Sequence, residues 1–278
     1  MSNIKKTNLP NKFTFMKKTS IILFFVIMLS SCSSVLITGR KQLLLVSDSE
    51  VLSMSAVSYK QFIDSMPASK NTAAIQLVKK VGSKISTAVE RFLTENGRAA
   101  DIVNYKWEFN LVKDTMVNAF CMPGGKVVFF EGILPITQNE VGIAVVMGHE
   151  VAHAVAKHSN ERLSQQMLTQ YGAALTDILL SNKSAATHQT INILYGLGAN
   201  VGVMLPYSRK HEYEADQLGL IFMAMAGYDP QEAIGFWERM AAQGNGAALE
   251  MLSTHPSDAN RIKKLKALLP EALKYYQK

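Results

Sequence analysis

Along this chain the spacing of hydrophobic positions changes from helical to alternating and back, and the elements follow from those changes. Over residues 47–65 and again over about 70–94, apolar residues recur at three- and four-residue steps. In the second stretch Ile75, Val78, Val81, Ile85, Val89 and Phe92 fall on one face, which predicts an amphipathic helix. Ser47 and Glu50 give the first helix a capping-box start, Pro67 stops it, and Asn96-Gly97 ends the second. From Tyr105 the period drops to two. Tyr105, Trp107, Phe109 and Leu111 alternate with Lys106, Glu108 and Asn110, the signature of a half-buried strand. A turn at Pro123-Gly124-Gly125 separates 116–122 from 127–130 and predicts two more strands.

The sheet leads into residues 141–158, VGIAVVMGHEVAHAVAKH, where apolar residues surround the axis and predict a buried helix. Thr137-Gln-Asn-Glu140 has the capping-box pattern just before it. Ala144, Gly148, Ala152 and Ala156 form a ridge of small residues that lets another element approach closely. Residues 159–180 predict further helix and 181–189 a polar break. The apolar stretch 191–205 is too short for a bilayer span and is interrupted by Asn192 and Asn200, so it reads as a buried helix. A further helical pattern, SRKHEYEADQLG onward, is capped at Gly227, and another helix begins near Ser257-Asp258 and includes Arg261. The expected class is α+β, mostly helical, with a small sheet beside the central helix.

The 278 residues carry a formal charge of +7, which suggests a polyanionic partner until the charges are located. Five of the 29 basic residues, Lys5, Lys6, Lys12, Lys17 and Lys18, precede Cys32 and no acidic residue does, which leaves 24 basic against 22 acidic side chains beyond it. No nucleic-acid partner is expected. Lys17-Lys18 followed by the apolar run 21–29 reads as a secretory signal over residues 1–31, with Met16 as an alternative start. Leu29-Ser30-Ser31-Cys32 looks like a lipobox, which makes Cys32 a lipidation site, residues 32–46 a tether and 47–278 the main domain with its N-terminal supporting helices. The expected location is the bacterial cell envelope, lipid-anchored on the periplasmic side of the outer membrane. Cys121 then has no partner and reads as a small buried apolar residue.

The chemistry lies in the central helix. His149 and His153 are four apart, so both imidazoles reach one metal ion, and Glu150 beside them is placed to serve as general base. A catalytic zinc takes three protein ligands, so one more donor is needed. Ala156 and Ser159 stand where a metzincin would have glycine and histidine, which excludes that branch and leaves His158 as a solvated residue near the helix end. Downstream, Glu212 and Asp216 are four apart on one helical face. Glu212 is the better-placed third ligand and Asp216 the acceptor that fixes a ligand imidazole's tautomer, with Glu214 the competing candidate, facing away. Ala215 and Gly219 are small enough to pack on the ridge. His188 and His211 read as surface residues.

HEVAH at 149–153, EYEAD at 212–216 and NAFCMPGGKVVFFEGIL at 118–134 together resemble metallopeptidase family forty-eight, the HtpX and CAAX-prenyl-protease group of gluzincins, over about 116–261. With the lipobox, the likeness is to its periplasmic lipoprotein branch. The resemblance implies a zincin-type fold, one zinc ion held by His149, His153 and Glu212, catalysis by Glu150, Asp216 behind the ligands, and a strand near 124–130 lining the substrate cleft. It also suggests that the loop holding His255 lies near the active site, where His255 either donates to the oxyanion, occupies the open metal position in a resting form, or merely stiffens a His-Pro turn. The expected function is a zinc metalloendopeptidase that hydrolyses unfolded or misassembled envelope proteins. The alternative is a non-enzymatic chaperone or assembly lipoprotein with a latent zinc site.

Overall fold

The computed structural model describes residues 32–167, 209–242, 251, 255 and 260–276. Strands β1 (Cys32–Ser34) and β2 (Lys41–Leu43) pair antiparallel, so the stretch expected to be a tether is a folded hairpin, with Val35 buried in the main core. Helix α1 (Asp48–Ser65) has the anticipated capping box: Ser47 Oγ accepts from the Glu50 amide and Glu50 Oε2 from the Ser47 amide. Helix α2 (Thr72–Glu95) buries Val78, Val81, Ile85, Val89 and Phe92 completely, the face that the periodicity picked out.

Strands β3 (Glu108–Val112), β4 (Ala119–Met122) and β5 (Lys126–Phe130) form a sheet of order β3-β5-β4, with β5 parallel to β3 and antiparallel to β4. Alternation along β5 divides the apolar interior. Val127 and Phe129 face the main core, while Val128 and Phe130 face a second cluster with Tyr59, Phe62 and Phe120. The strand implied to line the cleft, near 124–130, is thus the central one; β3 and β4 are the edge strands.

A short helix α3 (Leu134–Thr137) precedes the central helix α4 (Glu140–Val155). The cap of α4 is Asn139 and not Thr137. Thr137 Oγ1 is committed to the Leu134 carbonyl, and Asn139 Oδ1 accepts from the Gly142 amide at 3.0 Å. Helix α5 (Arg209–Met225) packs along α4 through the small residues expected there. A Cβ added at Gly148 would lie 2.8 Å from the Gly219 carbonyl oxygen, and one at Gly219 would lie 2.9 Å from the His149 nitrogen, so both glycines are demanded by the close approach. A further helical segment covers 158–167, and helices α6 (Glu232–Ala242) and α7 (Arg261–Ala272) follow α5. Among the described residues no helix is long and apolar enough to cross a membrane. The expected leader at 1–31, polar break at 181–189 and buried helix at 191–205 lie outside the described residues.

Candidate metal centre

One turn of α4 carries His149 and His153, 2% and 1% exposed, with their Nε2 atoms 3.2 Å apart. Glu212 in the first turn of α5 faces both: Oε2 lies 3.4 Å from His149 Nε2 and Oε1 3.4 Å from His153 Nε2. His255 completes the cluster, its Nδ1 3.1 Å from Glu212 Oε1 and 3.3 Å from His149 Nε2. One donor atom from each of these four residues lies within 4.8 Å of the others.

The donor set fits a divalent cation. Glu212 Oε2 is buried without a hydrogen-bond partner among the described residues, and a buried carboxylate oxygen is costly unless a proton or a metal satisfies it. Burial works to raise the Glu212 carboxyl, but the charges and hydrogen bonds of His255 and His149 overcome it and hold the group ionised. Burial also pushes the His153 imidazole well below its ordinary range, which keeps it neutral with a lone pair to share. The pairing of imidazole nitrogens with one carboxylate is a donor set common to catalytic zinc sites.

Glu150 is 2% exposed, with Oε1 3.5 Å from His255 Nε2. Burial pushes its carboxyl up to about 7, aided by the charge of Glu212 and opposed by His255 and Arg261. Cys121 on β4 is buried as expected, and burial raises its thiol, so it stays protonated.

Behind His149, Asp216 Oδ1 lies 3.1 Å from Nδ1, the contact anticipated from its spacing to Glu212. Sequence reasoning assigned no role to the residue that holds Asp216. Arg261, 1% exposed, donates to Asp216 through Nε at 2.9 Å and Nη2 at 2.7 Å, brings Nη1 to 3.3 Å from Glu212 Oε2, and stacks 3.5 Å from the Trp237 ring centre. Its position at the start of the helix after the His255 loop was the available signal.

Behind His153 the structure corrects two readings and extends a third. His158 is fully buried rather than solvated, and its Nδ1 lies 2.9 Å from His153 Nδ1. His211 is 2% exposed rather than at the surface, with Nε2 3.1 Å from Glu161 Oε2. Glu214 does face away from the metal ligands, but into the interior, where Oε2 meets His158 Nε2 at 3.2 Å. His188 lies outside the described residues. The sequence signal was a repeated spacing, His158 with Glu161 and His211 with Glu214, each a histidine three residues before a glutamate. The two pairs are crossed in space, His158 with Glu214 and His211 with Glu161.

A small cleft beside the cluster is lined by Val51, Leu52, Tyr105, Pro123, Gly124 and His153. Neither Glu150 nor Glu212 lines it, so it adjoins the centre without being the reaction site.

The family model for Peptidase family M48 matches residues 83–269. The chain belongs to Peptidase family M48. The fold, mostly helical with small sheets and a buried His/Glu group on the central helix, agrees with that membership. Mitochondrial metalloendopeptidase OMA1 of Schizosaccharomyces pombe is 40% identical over 190 residues, 68% of this chain and 53% of that protein. Metalloendopeptidase OMA1, mitochondrial, of Homo sapiens is 28% identical over 246 residues, 86% of this chain and 46% of that protein. The beta-barrel assembly-enhancing protease of Yersinia pestis is 31% identical over 169 residues, 59% of this chain and 34% of that protein. The chain spans about half the length of the first of these relatives, and less of the others.

These relatives correct the expected location. Proteins named as mitochondrial match at up to 40% identity, against 31% for the beta-barrel assembly-enhancing protease, so the reading as a lipoprotein of the bacterial outer membrane does not stand. The physical reason is that a basic, acid-free N-terminus is shared by several kinds of targeting segment. The lipobox rested on four residues at 29–32. Of these, Cys32 enters the described structure as the first residue of β1.

Proposed function

We propose that the chain is a zinc-dependent metalloendopeptidase with Glu150 as its general base. The observation that carries this reading is the buried Glu212 carboxylate set against two imidazole nitrogens, with a second buried carboxylate, Glu150, alongside. His149, His153 and Glu212 would hold the metal. A zinc ion held there would supply Lewis acidity toward water and the scissile carbonyl. Glu150 takes a proton from the attacking water as its oxygen bonds to the carbonyl carbon, and returns that proton to the amine as the carbon–nitrogen bond breaks. Its dry surroundings suit this exchange, because burial favours the protonated carboxyl and so helps Glu150 take up a proton.

The substrates are polypeptide segments that can enter in extended form. Of the two edge strands, β4 packs against α4 and offers an edge to which an extended peptide could add, with the neighbouring cleft available to a side chain. His255 favours a resting state, since it lies against both Glu150 and Glu212 and must leave or shift when the reacting carbonyl arrives. Of its three possible roles, occupation of the open metal position has the most geometric support, because its Nδ1 stands among the ligand atoms.

The test is cleavage of an unfolded protein by the zinc-loaded chain beside Glu150→Gln, with zinc measured in both. Cleavage by the unaltered chain alone at equal zinc content supports the reading. No cleavage by either protein at full zinc content would instead make this a latent site on a binding protein.

A further inference from the structure

Helix α4 ends at Val155, Lys157 takes a left-handed conformation with φ +58°, and helix resumes over 158–167. The break has a geometric consequence. In a continuous helix a residue five positions on points about 140° away from the first. Here the left-handed residue turns His158 back toward His153, and the two Nδ1 atoms lie 2.9 Å apart. A left-handed lysine is strained, and a lysine with no glycine beside it keeps that conformation only where the surroundings enforce it. Lys157 Nζ is tied to Asp48, Asn160 Nδ2 donates to the Val46 carbonyl, and Ser164 Oγ accepts from the Leu45 amide, so the segment after the break is stitched to the N-terminal strap.

The proton positions along this path follow from chemistry. An imidazole that binds metal through Nε2 carries its proton on Nδ1 and needs an acceptor there. For His153 the described acceptor is the Nδ1 lone pair of His158. That places the His158 proton on Nε2, where the Glu214 carboxylate accepts it at 3.2 Å. Glu214 is fixed by Arg40 Nε at 2.8 Å and Thr38 Oγ1 at 2.6 Å, both from the β1–β2 hairpin. The same guanidinium grips Glu161 through two bonds of 2.7 Å, and Glu161 meets His211, which stacks on His158 with ring centres 4.4 Å apart. Two histidines and two glutamates could suggest a second metal site, but the Arg40 guanidinium already satisfies both carboxylates. The cluster is therefore a buttress.

We propose that His158 is a positioning residue for His153, held in its Nε2–H tautomer by Glu214, and that Arg40 of the N-terminal hairpin anchors this relay to the metal centre. The hairpin thereby becomes part of the active-site architecture. The proposal rests on the metalloendopeptidase reading above, and its test separates the two.

The experiment uses the full chain loaded with zinc. Nitrogen-15 NMR of the imidazoles reads the tautomer directly: the expected result is a pyridine-type Nδ1 and a pyrrole-type Nε2 on His158. The opposite tautomer, or a doubly protonated ring, overturns the proposal without any mutation. Competition for zinc with a chelator supplies the second readout. His158→Phe should weaken zinc binding about 10- to 100-fold, the range seen when such outer partners are lost. His158→Gln, whose amide can accept from His153 and donate to Glu214, should recover most of that loss. Arg40→Gln should weaken binding less than His158→Phe, and the cobalt-substituted visible spectrum should change in His158→Phe and return in His158→Gln. Parent-like zinc affinity in a folded His158→Phe protein overturns the proposal, and if that variant does not fold the tautomer measurement decides. An unaltered chain that takes up no zinc would defeat the underlying reading and remove the ligand His158 is said to position.

Discussion

His149 and His153 sit one helical turn apart and are supported very differently. His149 leans on Asp216 and Arg261, all three no more than 3% exposed, on helices α4, α5 and α7 of the main core. His153 leans on a path one imidazole longer, through His158 and Glu214 to Arg40, whose side chain is 23% exposed and belongs to a two-stranded hairpin. The first support is short, dry and built into the helix packing. The second reaches the periphery, so what happens to the hairpin is felt at the metal ligands. A site held on one side by the core and on the other by a strap can keep its ligand geometry fixed and still have its affinity tuned.

The largest effect is expected from breaking the inner support. Arg261→Met leaves Asp216 and Glu212 buried without their cation, and should cost about 3–5 kcal/mol of stability in urea unfolding of the metal-free chain. Closing the helix contact is the next step down. Gly219→Ala puts a methyl group against backbone that no rotamer change can move aside, for a loss of about 1–3 kcal/mol. On the outer side, Arg40→Ala should cost about 1.5–3 kcal/mol, since charge-assisted bonds to two mostly buried carboxylates are lost while the arginine itself kept some contact with water. An Arg40→Ala loss as large as that of Arg261→Met would erase the distinction between the two supports.

Acid should separate the two supports further. Burial alone would raise the Glu161 carboxyl, but the hydrogen bonds from Arg40 and His211 overcome it and hold the group at about 2. A depressed carboxyl contributes stability that is present above the ordinary value of 4.5 and is lost as pH falls toward 2, so the hairpin should loosen in that window. Amide exchange in 32–43 should report this, and Arg40→Ala should flatten the dependence. The smallest effect belongs to the left-handed break, where Lys157→Gly trades relief of strain against chain entropy and an exposed ion pair, for a net change within about 1 kcal/mol.

The ligands and Asp216 were legible in the sequence because they use the four-residue period of helices, whereas Arg261, which holds Asp216 from another helix, was not. His149 with His153 and Glu212 with Asp216 are each one turn apart, and the small residues Gly148 and Gly219 announce that the two helices meet. The periodic stretches of α1, α2 and the strands were legible for the same reason. The outer support was not, because its geometry depends on a break in period. Nothing at Ala156-Lys157 resembles a glycine cap, so His158 reads as off the face it occupies, and Arg40 is far away in sequence within a stretch that resembles a linker. Thr137 misled in a smaller way: its hydroxyl went to the preceding turn, and the cap passed to Asn139. The N-terminal targeting pattern was too short and too generic to fix a compartment.

The central claim, that the buried cluster is a catalytic metal site, is tested most directly by zinc stoichiometry together with X-ray absorption at the zinc edge. One zinc per chain is expected in a shell of imidazole nitrogens and a carboxylate oxygen, with a third imidazole in the resting protein that disappears in His255→Ala. A chain that binds no zinc, or a shell unchanged in Glu212→Ala, would contradict it.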